Sequence, residues 1–177
     1  PDHPYRLTVT DGPYIDAIVP AVANPWAPAS FTLIGRNLGG TPAPELVVDG
    51  RPLERKVVKL TPASGSLDSF YPSLDYLPSP AAPRRGFEHT LQTPSGTSNP
   101  VFIAEATDPV VVEKEPNDEA HPQEVTPPCD ISGAFGAPND VDVYRFKAKK
   151  REVWGFEADA ERLGSPADPL LLIQKVD

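Results

Sequence analysis

The sequence YIDAIVP at residues 14–20 decides the fold class of this chain. Side chains two positions apart on a β-strand point to the same face, so the stretch predicts a strand with Ile15, Ala17 and Val19 on one face. Pro20 ends the strand because proline has no backbone N–H to donate to a neighbouring strand. The chain contains 24 prolines among 177 residues, a composition that favours short strands and loops over helices.

Similar short strands recur along the chain. Turn signals separate them, and the clearest is Asp49-Gly50, a pair that tolerates the positive φ angles of a tight hairpin. No amphipathic helix of ten residues is evident. The sequence therefore predicts an all-β chain of two β-sandwich units, with less than roughly a tenth of its residues in helices. The predicted strands lie within residues 5–10, 14–20, 30–40, 45–52, 57–60, 87–94, 101–105, 131–135, 143–148, 153–158 and 170–174.

Residues 61–86 interrupt this pattern. They are rich in Pro, Ser and Ala, with the isolated aromatics Phe70, Tyr71 and Tyr76. A loop of this length inside a compact domain is uncommon and is usually either functional or an insertion. Two interpretations remain open: an ordered surface excursion held by its aromatic side chains, or a binding loop.

Composition and motifs argue against several functional classes. The net charge is −9 and both halves of the chain are acidic, whereas a nucleic-acid partner requires clustered Lys and Arg. No apolar run approaches the roughly 20 residues that span a membrane. The three histidines have no zinc-site spacing, no Gly-x-Ser-x-Gly elbow occurs, and Cys129 has no accompanying His and acid constellation. We therefore predict no catalytic residue.

Acidic residues cluster in EKEPNDE at residues 113–119 and NDVD at residues 139–142. These stretches place six acidic side chains and two asparagines at the edges of two predicted strands. Hard cations such as calcium take six to eight oxygen ligands from carboxylates, amides and carbonyls. A calcium-stabilised β module is one interpretation. The other is structural, with Asn117 and Asp118 capping a backbone turn through Asx-type hydrogen bonds.

Three stretches of the first half resemble the immunoglobulin-like IPT/TIG domain: YIDAIVP at residues 14–20, FTLIGRNL at residues 31–38 and TPSGTSNP at residues 93–100. That family opens with a strand ending in Pro, has a Gly-x-Asn-Leu/Phe turn and closes on a Gly-x-Ser-Asn turn. The resemblance covers residues 12–106 and implies an immunoglobulin-like sandwich. Residues 61–86 depart from it as an insertion.

The second half resembles the bacterial pre-peptidase C-terminal domain, a jelly-roll-like β-sandwich attached to secreted peptidases and to large planctomycete surface proteins. EPND at residues 115–118, ISG at residues 131–133, NDVDVYRF at residues 139–146 and RLGSPADPL at residues 162–170 carry the resemblance. Related collagenase modules bind calcium, although many relatives keep the signature with no demonstrated metal. The resemblance implies the ligand set Glu113, Glu115, Asn117, Asp118, Asp140 and Asp142.

The two resemblances together imply a domain layout. Residues 1–11 resemble the last strand of a preceding module, residues 12–106 form the IPT/TIG-like unit, residues 107–116 are a linker, and residues 117–177 are the N-terminal part of the pre-peptidase-type unit. The chain has no methionine, so we expect a processed product or an excised fragment.

The layout implies a non-catalytic structural and interaction segment of a bacterial multidomain protein that is secreted, periplasmic or on the cell surface. One alternative is a carbohydrate- or protein-binding accessory module of an exported hydrolase, with Trp26 and Tyr76 available for stacking. Another is a piece of an enzyme whose catalytic domain lies elsewhere. The last predicted strand, at residues 170–174, is apolar on both faces. We therefore expect residues 143–176 to be covered by another domain or chain of the same precursor, or by another copy through strand complementation.

Overall fold

The computed structural model describes residue 7 and residues 9–25, 27–62, 85–137 and 139–176. These residues form strands and one short 3₁₀ turn, which confirms the predicted all-β class. None of the helical structure described is long and apolar enough to cross a membrane. Residues 1–6 and 63–84 lie outside the described residues, and so does Trp26. The predicted aromatic loop with Phe70, Tyr71 and Tyr76 and half of the strand predicted at residues 5–10 therefore fall outside the description.

Among the described residues as far as Glu105, which we call the first part of the chain, nine strands are formed, and most of them belong to two main sheets. Strands β1, β3, β5 and β4 form one antiparallel sheet in the order β1-β3-β5-β4. Strand β9 lies between β2 and β6 in the other, and β7 and β8 form a small hairpin. The bounds are β1 Tyr14–Val19, β2 Val22–Ala23, β3 Ala29–Arg36, β4 Thr41–Val48, β5 Arg51–Leu60, β6 Gly86–His89, β7 Gln92–Thr93, β8 Gly96–Thr97 and β9 Val101–Glu105.

The two main sheets bury one hydrophobic core between them. Phe31 and Leu33 of β3 and Ile103 of β9 have no exposed surface. Full burial of one such side chain stabilises the fold by roughly 1.5–3 kcal/mol. The predicted hairpin at Asp49-Gly50 is confirmed, because both residues have positive φ, at 53° and 73°.

The prediction that Ile15, Ala17 and Val19 lie on one face of β1 is wrong. Ile15 and Ile18 are buried, whereas Ala17 is exposed. Ile15 pairs with Gly35 but Ala17 pairs with Ile34, so Asp16 is an extra residue in a β-bulge. A bulge shifts the alternation by one position, and every side chain after it changes face.

The second part of the chain is built from short parallel pairs of strands. Strand β10 pairs with β12, and β11 pairs with β13. Residues 107–116, predicted as a linker, include β10. The bounds are β10 Val110–Val112, β11 Gln123–Glu124, β12 Asp130–Ser132 and β13 Tyr144–Arg145, followed by the 3₁₀ turn η1 Glu161–Leu163.

The strands predicted at residues 153–158 and 170–174 are not formed. Both segments have strand-type sequences, but within the described part of the chain neither lies beside a strand that pairs with it. Phe146 packs edge-on against Trp154, with ring centroids 5.7 Å apart, and tilts against Phe156 at 5.9 Å. Beyond this aromatic cluster, the apolar side chains of residues 170–173 remain exposed.

Candidate functional site

Three carboxylates of the second part converge on one place. Glu113, Glu115 and Asp142 each offer an oxygen, and these oxygens all lie within 4.8 Å of one another. Glu113 directly follows β10, and its N–H donates to the carbonyl of Ser132 at 2.9 Å. Asp142 lies two residues before β13. The cluster therefore joins segments that are remote in sequence.

Glu113 is held in place by three donors. Its Oε1 accepts hydrogen bonds from Asn117 Nδ2 at 2.8 Å and from the Tyr144 hydroxyl at 3.3 Å. Its Oε2 accepts from the backbone N–H of Ala134 at 2.6 Å. A carboxylate has about four lone-pair positions, so Glu113 keeps capacity for one further partner.

Asn117 is the most deeply buried polar residue near the cluster. Only 1% of it is exposed, and its carbonyl accepts from the N–H of Val143 at 2.6 Å. Its own N–H donates to Glu115 Oε2 at 3.2 Å. Asn117 thus positions both glutamates and ties them to the segment that carries Asp142.

The cluster concentrates negative charge in a partly desolvated position. The pKa of Asp142 is raised from 3.8 to about 7, first by burial and then by a hydrogen bond with Glu113 and the charges of Glu113, Asp140 and Glu115. Asp142 Oδ1 is buried and accepts no hydrogen bond. Burial and the charges of Glu113 and Asp142 also raise the pKa of Tyr144. An additional proton or cation would relieve this repulsion.

Asp140 borders the cluster and is held by the loop that contains Gly136. Its Oδ2 accepts from the N–H of Gly136 at 2.6 Å, and its Oδ1 accepts from Val141 at 3.1 Å. A methyl group added at Gly136 would lie 3.4 Å from Asp140 Oδ2 and 3.8 Å from Glu115 Oε1. Gly136 therefore faces both carboxylates.

Asp118 has a different role from the other predicted ligands. Its Oδ1 accepts from the N–H groups of Ala120 and His121, both at 2.9 Å, and contacts His121 Nδ1 at 2.9 Å. The hydrogen bond to the His121 side chain is the main reason why the pKa of Asp118 is lowered. These contacts are those of a residue that caps a turn.

Of the six predicted site residues, the structure brings Glu113, Glu115 and Asp142 together, and Asn117 and Asp140 adjoin them. Tyr144 was missed by sequence reasoning. The signal was its position two residues after Asp142, which places both side chains on the same face of an extended segment. The backbone donor of Ala134 has no sequence signature.

The donor set fits a hard divalent cation. All side-chain donors are oxygens, and oxygens that share one calcium ion at 2.3–2.6 Å lie within about 5 Å of one another. The buried and unpaired Asp142 Oδ1 provides a ligand atom without breaking an existing hydrogen bond. If calcium binds here, Glu113, Glu115 and Asp142 would hold it.

The other reactive side chains form no comparable group within the described residues. The pKa of Cys129 is raised, mainly by burial and then by Asp130 and Asp108, which is unsuited to a nucleophile. Burial lowers the pKa of His89. Comparisons with family models, with curated proteins and with solved structures found no match.

Proposed function

We propose that this chain is a non-catalytic structural and interaction segment of an exported multidomain bacterial protein. The observation that carries the proposal is the apolar segment at residues 170–173, whose four side chains are between 51% and 92% exposed. The sequence resemblances to an IPT/TIG-like unit and to a pre-peptidase-type unit support an extracytoplasmic location.

An uncovered apolar segment of this kind is suited to strand addition. Leu170, Leu171, Leu172 and Ile173 are four consecutive apolar residues, and all of them are exposed. Extended segments that lack a neighbouring strand recruit one through backbone hydrogen bonds and side-chain pockets. Val153 and Phe156 add further exposed apolar surface in the preceding segment.

The partner that we propose is a second copy of this chain. Leu7 and Val9 are 78% and 88% exposed. In the strand expected at residues 5–10, half of which lies outside the described residues, these two side chains would share one apolar face. Each copy would thus supply both a segment that needs cover and a segment that can provide it.

Sedimentation of the purified full-length chain tests this proposal. We expect concentration-dependent self-association, which Leu172→Asp should weaken at least tenfold. Val57→Asp is the matched control, because Val57 is 67% exposed on β5 of the first part. A monomer at high concentration, or equal weakening by the two variants, would contradict strand addition through residues 170–173.

We also propose that the cluster of Glu113, Glu115 and Asp142 binds calcium and stabilises the second part of the chain. The support is the convergence of three carboxylates from remote segments and the unpaired Asp142 Oδ1. A ligand that binds only the folded state stabilises it by about 2.7 kcal/mol at one hundred times its Kd.

Thermal unfolding with calcium and with a chelator tests the cation proposal. We expect calcium to raise the Tm of the parent chain and to have little effect on Glu113→Gln. Glu119→Gln should respond as the parent does, because Glu119 is exposed and lies outside the cluster. Equal Tm values in calcium and chelator would leave the cluster with a purely structural role.

A further inference from the structure

The segment that joins the two parts of the chain has its backbone donors satisfied. Beyond the end of β9, Ala106 donates its N–H to the carbonyl of Ala23 at 2.8 Å. The next two N–H groups, of Thr107 and Asp108, both donate to Asp130 Oδ2, at 2.9 and 3.0 Å. One carboxylate thus clamps the first residues after the sandwich.

Asp130 and Pro109 complete this clamp. The N–H of Asp130 donates to the carbonyl of Pro109 at 3.1 Å, directly before β10. Asp130 is also the first residue of β12, which pairs with β10. The clamp therefore continues without interruption into the first strand pair of the second part.

Ser132 makes a separate link across the junction. Its Oγ accepts the N–H of Ala21 at 2.9 Å, and Ala21 lies in the turn between β1 and β2. Its carbonyl accepts the N–H of Glu113. Only 5% of the surface of Ser132 is exposed. Loss of this partly buried hydrogen bond is costly, because the remaining N–H of Ala21 would lack its protein partner.

A third contact comes from later in the chain. The turn η1 at Glu161–Leu163 lies beside β9 of the first sandwich. The second part therefore contacts the first through β12, through the segment before β10 and through η1. These contacts are spread over more than fifty residues of sequence.

We infer that the junction is a fixed-angle connector between the sandwich and the second part of the chain. Flexible linkers are solvated and make few fixed hydrogen bonds, and small interfaces between domains normally permit motion. Here the joining backbone is clamped by Asp130, and Ser132 is buried against the turn at Ala21. The inference is independent of cation binding and of strand addition.

Pulsed dipolar spectroscopy on the full chain tests this inference. Spin labels at Val57→Cys and Glu119→Cys, in a Cys129→Ser background and diluted with unlabelled chain, report the distance between the two parts. We expect a single narrow distance distribution. Combining Ser132→Ala with Asp130→Ala, which removes the side-chain acceptor of both N–H groups, should broaden it at least twofold.

The matched control is Asp118→Ala, because Asp118 also caps two backbone N–H groups but lies away from the junction. It should leave the distribution narrow. If the double variant fails to fold, Asp130→Ala alone is measured, and it should broaden the distribution by a smaller factor. A broad distribution in the parent, or an unchanged width in folded junction variants, would overturn the inference.

Discussion

Replacing Asp142 with Asn should stabilise the metal-free chain at neutral pH, although the substitution removes a carboxylate that could bind a cation. The side chain keeps its shape and loses its negative charge. In the parent, that charge lies within 4.8 Å of an oxygen of Glu113 and of an oxygen of Glu115. The raised pKa of about 7 shows that the folded state favours the protonated form of Asp142.

The direction of the pH dependence follows from linkage. The folded pKa of Asp142 lies above its unfolded value, so the folded state holds the proton more tightly. The favourable contribution is fully present below pH 3.8, the unfolded pKa, and is lost as the pH rises to about 7, the folded pKa. A shift of this size has an upper limit of roughly 4 kcal/mol. Because Asp142 is only partly buried, screening by solvent reduces the expected effect to about 1–2 kcal/mol.

Urea unfolding from pH 4 to pH 8, in chelator, measures this effect. We expect Asp142→Asn to exceed the parent in free energy of unfolding at pH 8 and to match it more closely at pH 4. Asp49→Asn, in the exposed turn between β4 and β5, is the control and should keep the pH dependence of the parent. Destabilisation of Asp142→Asn at pH 8, or an unchanged pH dependence, would refute the electrostatic account of the cluster.

Two further predictions concern the first sandwich. Gly35→Ala should prevent normal pairing of β1 with β3, because its methyl carbon would lie 2.1 Å from the carbonyl oxygen of Tyr14. Gly155→Ala is the control: its methyl carbon would meet no non-adjacent residue within 4 Å in the described part of the chain, so this variant should unfold at the parent's Tm. Asn99→Ala should lower the free energy of unfolding by about 1–3 kcal/mol, because the Asn99 side chain bonds both the N–H and the carbonyl of Ile15, at 2.7 and 2.9 Å. Chemical denaturation checks both, and normal stability of Gly35→Ala or of Asn99→Ala would contradict the packing described.

Local sequence signals predicted the strands and the hairpin of the sandwich well. The strand at residues 31–36 depends on the alternation of side chains between its two faces, and the Asp49-Gly50 turn depends on positive φ angles. Both are properties of a few neighbouring residues. The bulge at Asp16 was not predictable, because it depends on how β1 aligns with β3. The two hydrogen bonds between the Asn99 side chain and the backbone of Ile15 likewise depend on a tertiary contact.

The candidate site likewise combines features that local sequence predicts with features that depend on tertiary contact. Two acidic stretches, at residues 113–119 and 139–142, and the resemblance to the pre-peptidase-type domain indicated that Glu113, Glu115 and Asp142 could meet. Asp118 belongs to the first of these stretches and instead caps a turn. Its side chain forms local hydrogen bonds with Ala120 and His121, and such local bonds compete with any more distant ligand role. Strand propensity also failed at residues 170–174, because a strand requires a neighbour as well as a suitable sequence.

Amide hydrogen exchange at residues 170–176, compared between dilute and concentrated samples of the purified full-length chain, tests the central claim most directly. If these residues serve as an interaction segment for a second copy, their exchange should slow markedly as the concentration rises, while the exchange of β3 stays constant. Equally fast exchange at residues 170–176 in both samples, with a monomeric mass throughout, would contradict the proposed function.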